Sequence, residues 1–297
     1  MPVRQARADD FDAVAAFTDG TWSDHGVDDY IADVFTDWVA GDGQDQRTVV
    51  ATVDDTPVGV CQAHLLADDE AWLQGIRVAP DHRGDDHGEA MVAHLLSWCR
   101  DRGATVARNL VFGWNGAGMG QSRAVGFDPM TTCRFLELTP ETDAAADANV
   151  VDDATAAWRF WTHSDARDHL SGLARADDHA WALSELDRAR LDALAENGRA
   201  FALVDGGTRA MTVRIGTRER EDETVAEYAV AAWATREAAT ALLAAIRADA
   251  AACEVDAARV LVPDTPQFVS DAATTRCRLS DTTEYIFAAD LTGKNEF

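Results

Sequence analysis

The stretch Gly75-Ile76-Arg77-Val78-Ala79-Pro80-Asp81-His82-Arg83-Gly84-Asp85-Asp86-His87-Gly88-Glu89-Ala90-Met91 decides how this chain is read. A strand ends at Val78, Pro80 marks a turn, and a glycine-containing loop opens a helix. That helix is predicted over Gly88–Arg102, with Met91, Val92, Leu95, Leu96 and Cys99 on one face and Gly103 as its C-cap. A loop at a helix N-terminus presents unpaired backbone N–H groups, backed by the positive end of the helix dipole. Glycines let the backbone come close to an anion. Such a place suits a pyrophosphate, and an ordinary strand-to-helix connection would need no Arg83-Gly84 pair.

Upstream, a short strand over Pro2–Arg7 and helices from Asp9 to Phe17 and over Asp28–Val39 precede three strands, Arg47–Val53, Val58–Leu66 and Ala71–Val78. Short polar turns join the three strands, which indicates an antiparallel meander. Downstream come a strand at Thr105–Phe112, a Gly-rich helix at Asn115–Val125 and a closing strand at Arg134–Leu138. Strand, helix, strand implies a parallel crossover within a mixed sheet. Residues 139–154 are rich in Asp, Ala and Thr and read as a linker. The order of elements then partly repeats. A strand is predicted at Ala156–Thr162, helices at Ala166–Leu173 and Trp181–Ala195, and strands at Ala200–Val204, Arg209–Ile215 and Thr224–Trp233. A long helix Arg236–Cys253, a strand Ala258–Val262, a short helix and a last strand Glu284–Ala288 follow. A tandem duplication fits this order, as does generic alternation of helices and strands.

Composition sets outer bounds. The 297 residues are 47% hydrophobic, enough for one large core or two ordinary ones. Acids outnumber bases 52 to 26, a net charge of −26, and the only lysine is Lys294. The acids are spread along the chain rather than gathered in a tail, which points to a salt-rich cytoplasm. Self-repulsion of this size destabilises a compact state in dilute buffer, whereas molar salt shortens the Debye length to about 3 Å. A halophilic origin and a cytoplasmic location are expected. With no basic stripe, nucleic acid is not expected as a partner. Cys61, Cys99, Cys133, Cys253 and Cys277 are odd in number and form no C-x-x-C pair, which argues against a disulfide framework or zinc site. Neither a signal peptide nor a membrane span is expected.

The loop resembles the acetyl-CoA loop of the GNAT N-acetyltransferases, where a strand ending V-x-P leads to R-G-x-G-x-G/A at a helix. Val78, Pro80, Arg83, Gly84 and Gly88 fall on that motif, and Asp86 stands where the middle glycine is usual. Asn115 and Gly126-Phe127 match the family's second signature, an Asn opening a short helix followed by Gly-Phe. The resemblance covers about residues 1–140. It implies an α+β fold, a mixed and mostly antiparallel sheet flanked by helices, present twice in tandem. Residues 1–140 would be the acetyl-CoA-binding domain and 155–297 a degenerate GNAT-like domain. It implies an acyltransferase that moves the acetyl group of acetyl-CoA directly to a primary amine, without a metal. Arg77, Val78, Arg83, Gly84, Asp85, Asp86, His87, Gly88, Glu89 and Asn115 would hold the cofactor. N–H groups around Arg77–Val78 would polarise the thioester carbonyl. Ser122 takes the place where the family often has a Tyr thought to protonate the leaving thiolate. Glu70 is the candidate general base; its bland reading is a solvated turn acid beside Asp68 and Asp69. The acceptor would be a small-molecule or peptide amine, and the second lobe would close the acceptor site or form an interface, a homodimer among its options.

The same residues admit rival readings. Asp81, His82, Asp85, Asp86, His87 and Glu89 look like ligands for a hard metal ion, yet no His pair sits at i, i+4 with a Glu between. Gly116, Gly118 and Gly120 suggest a nucleotide loop, but Gln121 stands where its last glycine belongs. Asp86 and Ser122 support a catalytically silent GNAT-like scaffold that binds CoA or another protein. The second half's counterpart of the loop, Ala231 to Arg236, has no glycine, so no phosphate cradle is expected there.

Overall fold

The computed structural model describes residues 2–22, 28–142, 149–177, 179, 181–197, 199–220 and 223–293. The centre of the predicted linker, residues 143–148, lies outside them, as does Lys294. The chain forms two compact units. One holds residues 1–111, 115–129 and 287–297, the other residues 112–114 and 130–286.

In the first unit, β1 (Val3–Gln5) is followed by a 3-10 turn at Ala8–Asp10, α1 (Phe11–Thr18) and α2 (Ile31–Gly41). The meander comes next as β2 (Gln46–Val53), β3 (Thr56–Leu65) and β4 (Glu70–Val78). Asp54 and Asp55, at φ 47° and 63°, make the two-residue turn between β2 and β3; a hairpin needs positive φ at both places, and Asp tolerates it. Then follow α3 (His87–Arg100), β5 (Val106–Phe112) and α4 (Gly116–Ala124). Strands β1 to β5 lie in chain order, antiparallel except for the parallel pair β4 and β5. The end of the chain completes this unit: Leu291 N–H donates to Thr105 O at 2.8 Å. Val14, Ile31 and Phe35 of the first two helices pack with Val50 and Val60 into a fully buried cluster. The stripe Met91, Val92, Leu95, Leu96 and Cys99 of α3 is buried as its periodicity predicts.

In the second unit the elements are β6 (Asp128–Leu138, from Met130 on), β7 (Val150–Asp152), α5 (Ala154–Trp161), α6 (Asp165–His169), β8 (Leu173–Arg175), β9 (Leu183–Glu185) and α7 (Arg188–Asn197). They continue as β10 (Arg199–Val204), β11 (Thr208–Arg220), β12 (Glu223–Trp233), α8 (Arg236–Ala252), β13 (Ala257–Pro263), α9 (Pro266–Ala273), β14 (Arg278–Leu279) and the start of β15 (Glu284–Asp290). The main sheet runs β6-β13-β12-β11-β10-β7. Strands β10, β11 and β12 form an antiparallel meander, and α8 leads to β13, parallel to β12. Meander, helix and parallel strand thus occur once in each unit. The fold is α+β, a mixed and mostly antiparallel sheet with helices.

Four expectations differ. The stretch read as linker contains β7, which pairs antiparallel with β10 from Leu203↔Val150 to Phe201↔Asp152. Ala156–Thr162 is not a strand: it lies in α5 up to Trp161, with Thr162 as C-cap, and Asp153 Oδ1 accepts from the N–H groups of Thr155 and Ala156, both at 2.9 Å. Ala157 and Trp161, four apart, are its fully buried residues, so the helical period prevails over the aromatic alternation. Trp181–Ala195 is not one helix: β9 occupies its start and pairs with β8, and α7 begins at Arg188. Leu173, expected to end a helix, starts β8 after Ser171 and Gly172, both at positive φ.

The second unit buries charge. Arg175 and Glu227 form an ion pair with 1% and 3% of each residue exposed. Glu284 is 3% exposed, and burial pushes its carboxyl up to about 8, against the pull of Arg259 and Arg134. A carboxyl raised in the folded state holds its proton there when the unfolded chain has lost it. The contribution of Glu284 to stability is therefore full at acid pH and is lost as pH climbs from the ordinary carboxylate range through about 8. Glu284→Gln removes that ionisation. It is expected to raise the melting temperature at pH 8 by the equivalent of roughly 3 kcal/mol and to change little at pH 5, read by thermal melts at both pH values.

Candidate functional site

β4 and β5 pair in parallel from Glu70↔Val106 to Trp72↔Arg108. The pairing stops there, although β4 runs on to Val78 and β5 to Phe112, so the ladder opens beyond Trp72. A bulge sits on β4 within the open stretch. Val60 faces Arg77 and Gln62 faces Gln74, which leaves both Gly75 and Ile76 opposite Cys61. A bulged residue withdraws its backbone groups from the ladder. Gly75 has φ +67°, and a Cβ there would stand 2.4 Å from Cη2 of Trp38.

Val78 leads into a 3-10 turn at Pro80–His82, an extended Arg83 and then Gly84 at φ +89°. A Cβ at Gly84 would meet nothing within 4 Å, so conformation rather than space calls for glycine. Asp86 adopts the left-handed conformation, φ 58° and ψ 13°, as N-cap of α3. This is why a glycine is usual at such a place, and Asp is among the few side chains that tolerate it. The Asp86 side chain does not cap the helix. In α8, by contrast, Thr235 Oγ1 accepts from Ala238 N–H. The first turn of α3 thus presents backbone donors with no side-chain cap, while that of α8 is self-capped.

Other predicted residues are distributed as follows. Arg83 is exposed, its Nε donating to Val78 O at 3.2 Å. Asp85, Asp86 and Glu89 are exposed, and His87 is buried. The Arg77 guanidinium is turned away from the loop: Nε donates to Asp29 Oδ2 at 2.7 Å and Cζ lies 4.0 Å from the Trp22 ring centroid. Arg77 can serve the loop only through its backbone. Asn115 is the N-cap of α4, its Oδ1 accepting from Gly118 N–H at 2.9 Å. Ser122 is buried, and its Oγ accepts from Asn109 Nδ2 at 3.1 Å. Glu70 is no solvated turn acid. It is 5% exposed, ion-paired with Arg108 at 3.2 Å, and stands on the closed part of the β4–β5 ladder. Trp72 is core, and Gln74 joins a polar cluster in which its Nε2 donates to Gln62 Oε1 at 2.8 Å.

Sequence reading missed Asn109, the partner of Ser122, and Gln121, whose amide covers Gly88 so closely that a Cβ there would lie 2.0 Å from Nε2. Neither carries a motif. Burial raises the thiols of all five cysteines, those of Cys61 and Cys99 to about 12. They stay protonated at neutral pH and are poor nucleophiles, which disfavours a cysteinyl intermediate.

An opening parallel pair, a bulge on its first strand and a glycine loop onto an uncapped helix thus lie together in the first unit. Residues 7–117 match the model of the Acetyltransferase (GNAT) family. The fold is shared with a GCN5-related N-acetyltransferase from Sphaerobacter thermophilus at 14% identity and TM-score 0.61, over 100% of this chain and 97% of that one. A candidate acetyltransferase from Thermoplasma acidophilum matches at 14% identity and TM-score 0.58, over 98% of this chain and 100% of that one. Another from Pyrococcus horikoshii matches at 15% identity and TM-score 0.52, over 99% and 90%. No curated protein matches the sequence. The family model thus covers the segment that carries β1 to β5 and the glycine loop, and the solved structures share the fold.

Proposed function

We propose that the chain is an N-acetyltransferase that moves the acetyl group of acetyl-CoA directly to a primary amine. The observation that carries this is the opened β4–β5 ladder lying between a bulge and the uncapped start of α3. The pyrophosphate sits on the N–H groups of Gly84 to Glu89, beside Arg83. The thioester enters the opening, where the N–H released at Gly75–Ile76 polarises its carbonyl. That donor is one or two residues before the Arg77–Val78 pair expected from the resemblance. The amine attacks the carbonyl carbon, the thiolate leaves, and the amine proton passes to a base. A CoA thiol, with an ordinary pKa near about 8.5, leaves without a strong acid. The second unit, whose α8 is self-capped, is a degenerate copy without a phosphate cradle of its own. We assign the surplus acid to a salt-rich cytoplasm.

The test is release of free CoA from acetyl-CoA across a panel of amino acids, polyamines, aminoglycosides and peptide N-termini in molar KCl. Turnover with one class supports the proposal, and none with any class sinks it. A second reading has its own support: Glu70 is tied to Arg108 and Ser122 to Asn109. On that reading the chain is a silent scaffold that binds CoA without turnover.

Asp86→Gly gives a further check. It removes a negative charge from the phosphate loop and relieves a left-handed non-glycine residue. Acetyl-CoA is expected to bind about 3–10-fold more tightly by calorimetry, and weaker binding would contradict the placement.

A further inference from the structure

We propose that His82, Asp85 and His87 form a binding site for a divalent transition-metal ion of the zinc type, with its remaining coordination positions open to a phosphate oxygen. His82 closes the 3-10 turn, Asp85 follows Gly84, and His87 is the first residue of α3. Five residues apart, the two histidines have no helical zinc spacing. The turn at Gly84 and the left-handed Asp86 fold the loop back and bring them together. One donor atom from each of the three residues lies within 4.8 Å of the other two. The imidazole rings meet edge to face at 5.9 Å. Donors about 2.1 Å from a shared ion stand roughly 3–3.5 Å apart, so small side-chain rotations complete the site.

A second observation is independent of that convergence. His87 is 4% exposed, and its Nδ1 has no hydrogen-bond partner among the described residues. Burying an imidazole nitrogen unpaired is unfavourable, and such a group calls for an explanation. An ion coordinated by Nδ1 supplies one. Two imidazoles and one carboxylate suit zinc, cobalt, nickel or ferrous ions rather than magnesium or calcium. A bound dication also inverts the local electrostatics. Asp85, which alone repels a phosphate, then holds the charge that attracts it. This last link rests on the acetyl-CoA reading above; the ion site itself does not.

The test uses the full chain, stripped with EDTA, in molar KCl with excess magnesium to occupy surface carboxylates. Cobalt is titrated and followed by visible absorption, and zinc by calorimetry. One equivalent with nitrogen-ligand cobalt bands is expected, weakened by about tenfold or more in His82→Ala and in Asp85→Asn. Asp85 is exposed and His82 half-buried, and each variant is used only where its melt matches the parent, as is His87→Ala as a third. Absence of binding, loss to magnesium, or unchanged binding in His82→Ala overturns the site. Acetyl-CoA is then titrated with EDTA and with zinc. Tighter binding with zinc supports the phosphate link, and equal binding overturns that link. An ion that binds while acetyl-CoA binds in neither condition leaves the ion site standing and sinks the cofactor reading instead.

Discussion

Gly75→Val lowers the stability of the first unit by about 2–5 kcal/mol. Two independent costs add. The native φ of +67° is left-handed, and a side chain there costs roughly 1–2 kcal/mol, more when β-branched. The new Cβ would lie 2.4 Å and 2.8 Å from two ring carbons of Trp38 and 3.0 Å from Cδ1 of Ile31. Trp38 and Ile31 are buried at 8% and 0% exposure, so neither can swing into solvent. Overpacking of this kind costs roughly 1–3 kcal/mol. Urea denaturation in molar KCl checks it, and a second substitution separates the costs. Trp38→Leu in the Gly75→Ala background makes room but leaves φ unchanged, so it is expected to restore only part of the loss. Parent-like stability of Gly75→Val would mean that β4 has no bulge at this place.

The second large effect lies in the other unit. Arg175→Met leaves the Glu227 carboxylate at 3% exposure without its ion partner, and breaking a buried pair costs about 3–5 kcal/mol. Removing Glu227 instead also hurts. Burial first, and then Arg259, Arg218 and Arg220, disfavour the charge on Arg175, so the acid offsets a crowded set of cations. Replacing both residues with Met removes the uncompensated charge and is expected to recover most of the loss. In Arg175→Met the lone carboxyl can take up a proton as pH falls, so the deficit shrinks from pH 8 to pH 5. A deficit that is pH-independent, or a double variant as unstable as the singles, would contradict this account.

Much of the first unit is legible because its signals are local and redundant. The α3 stripe from Met91 to Cys99 repeats over several turns, Asp54-Asp55 marks a hairpin, and Pro80, Gly84 and Gly88 punctuate one short loop. Asn115 is legible as a helix cap. The second unit is harder to read because its elements are short. Three residues suffice for β8 and β9, too few for a period of two to emerge. In α5 the aromatic run Trp158, Phe160, Trp161 imitates a strand while Ala157 and Trp161 do the packing.

Side-chain partnerships are less legible still, since they depend on strand register. Nothing in the run Asp68-Asp69-Glu70 shows that only Glu70 turns inward to meet Arg108. Arg77 stands one residue before the motif, and its side chain answers to Asp29 and Trp22. The histidines at 82 and 87 fail a helical spacing test because a loop, not a helix, brings them together.

The most direct measurement is a calorimetric titration of acetyl-CoA into the chain at molar KCl, beside Arg83→Glu. The substitution adds a third acid next to Asp85 and Asp86 and removes the cation at the mouth of the loop. The account predicts micromolar binding by the parent, weakened about tenfold or more in the variant. Absence of binding by the parent, or equal binding by both, would contradict a cofactor site at this loop.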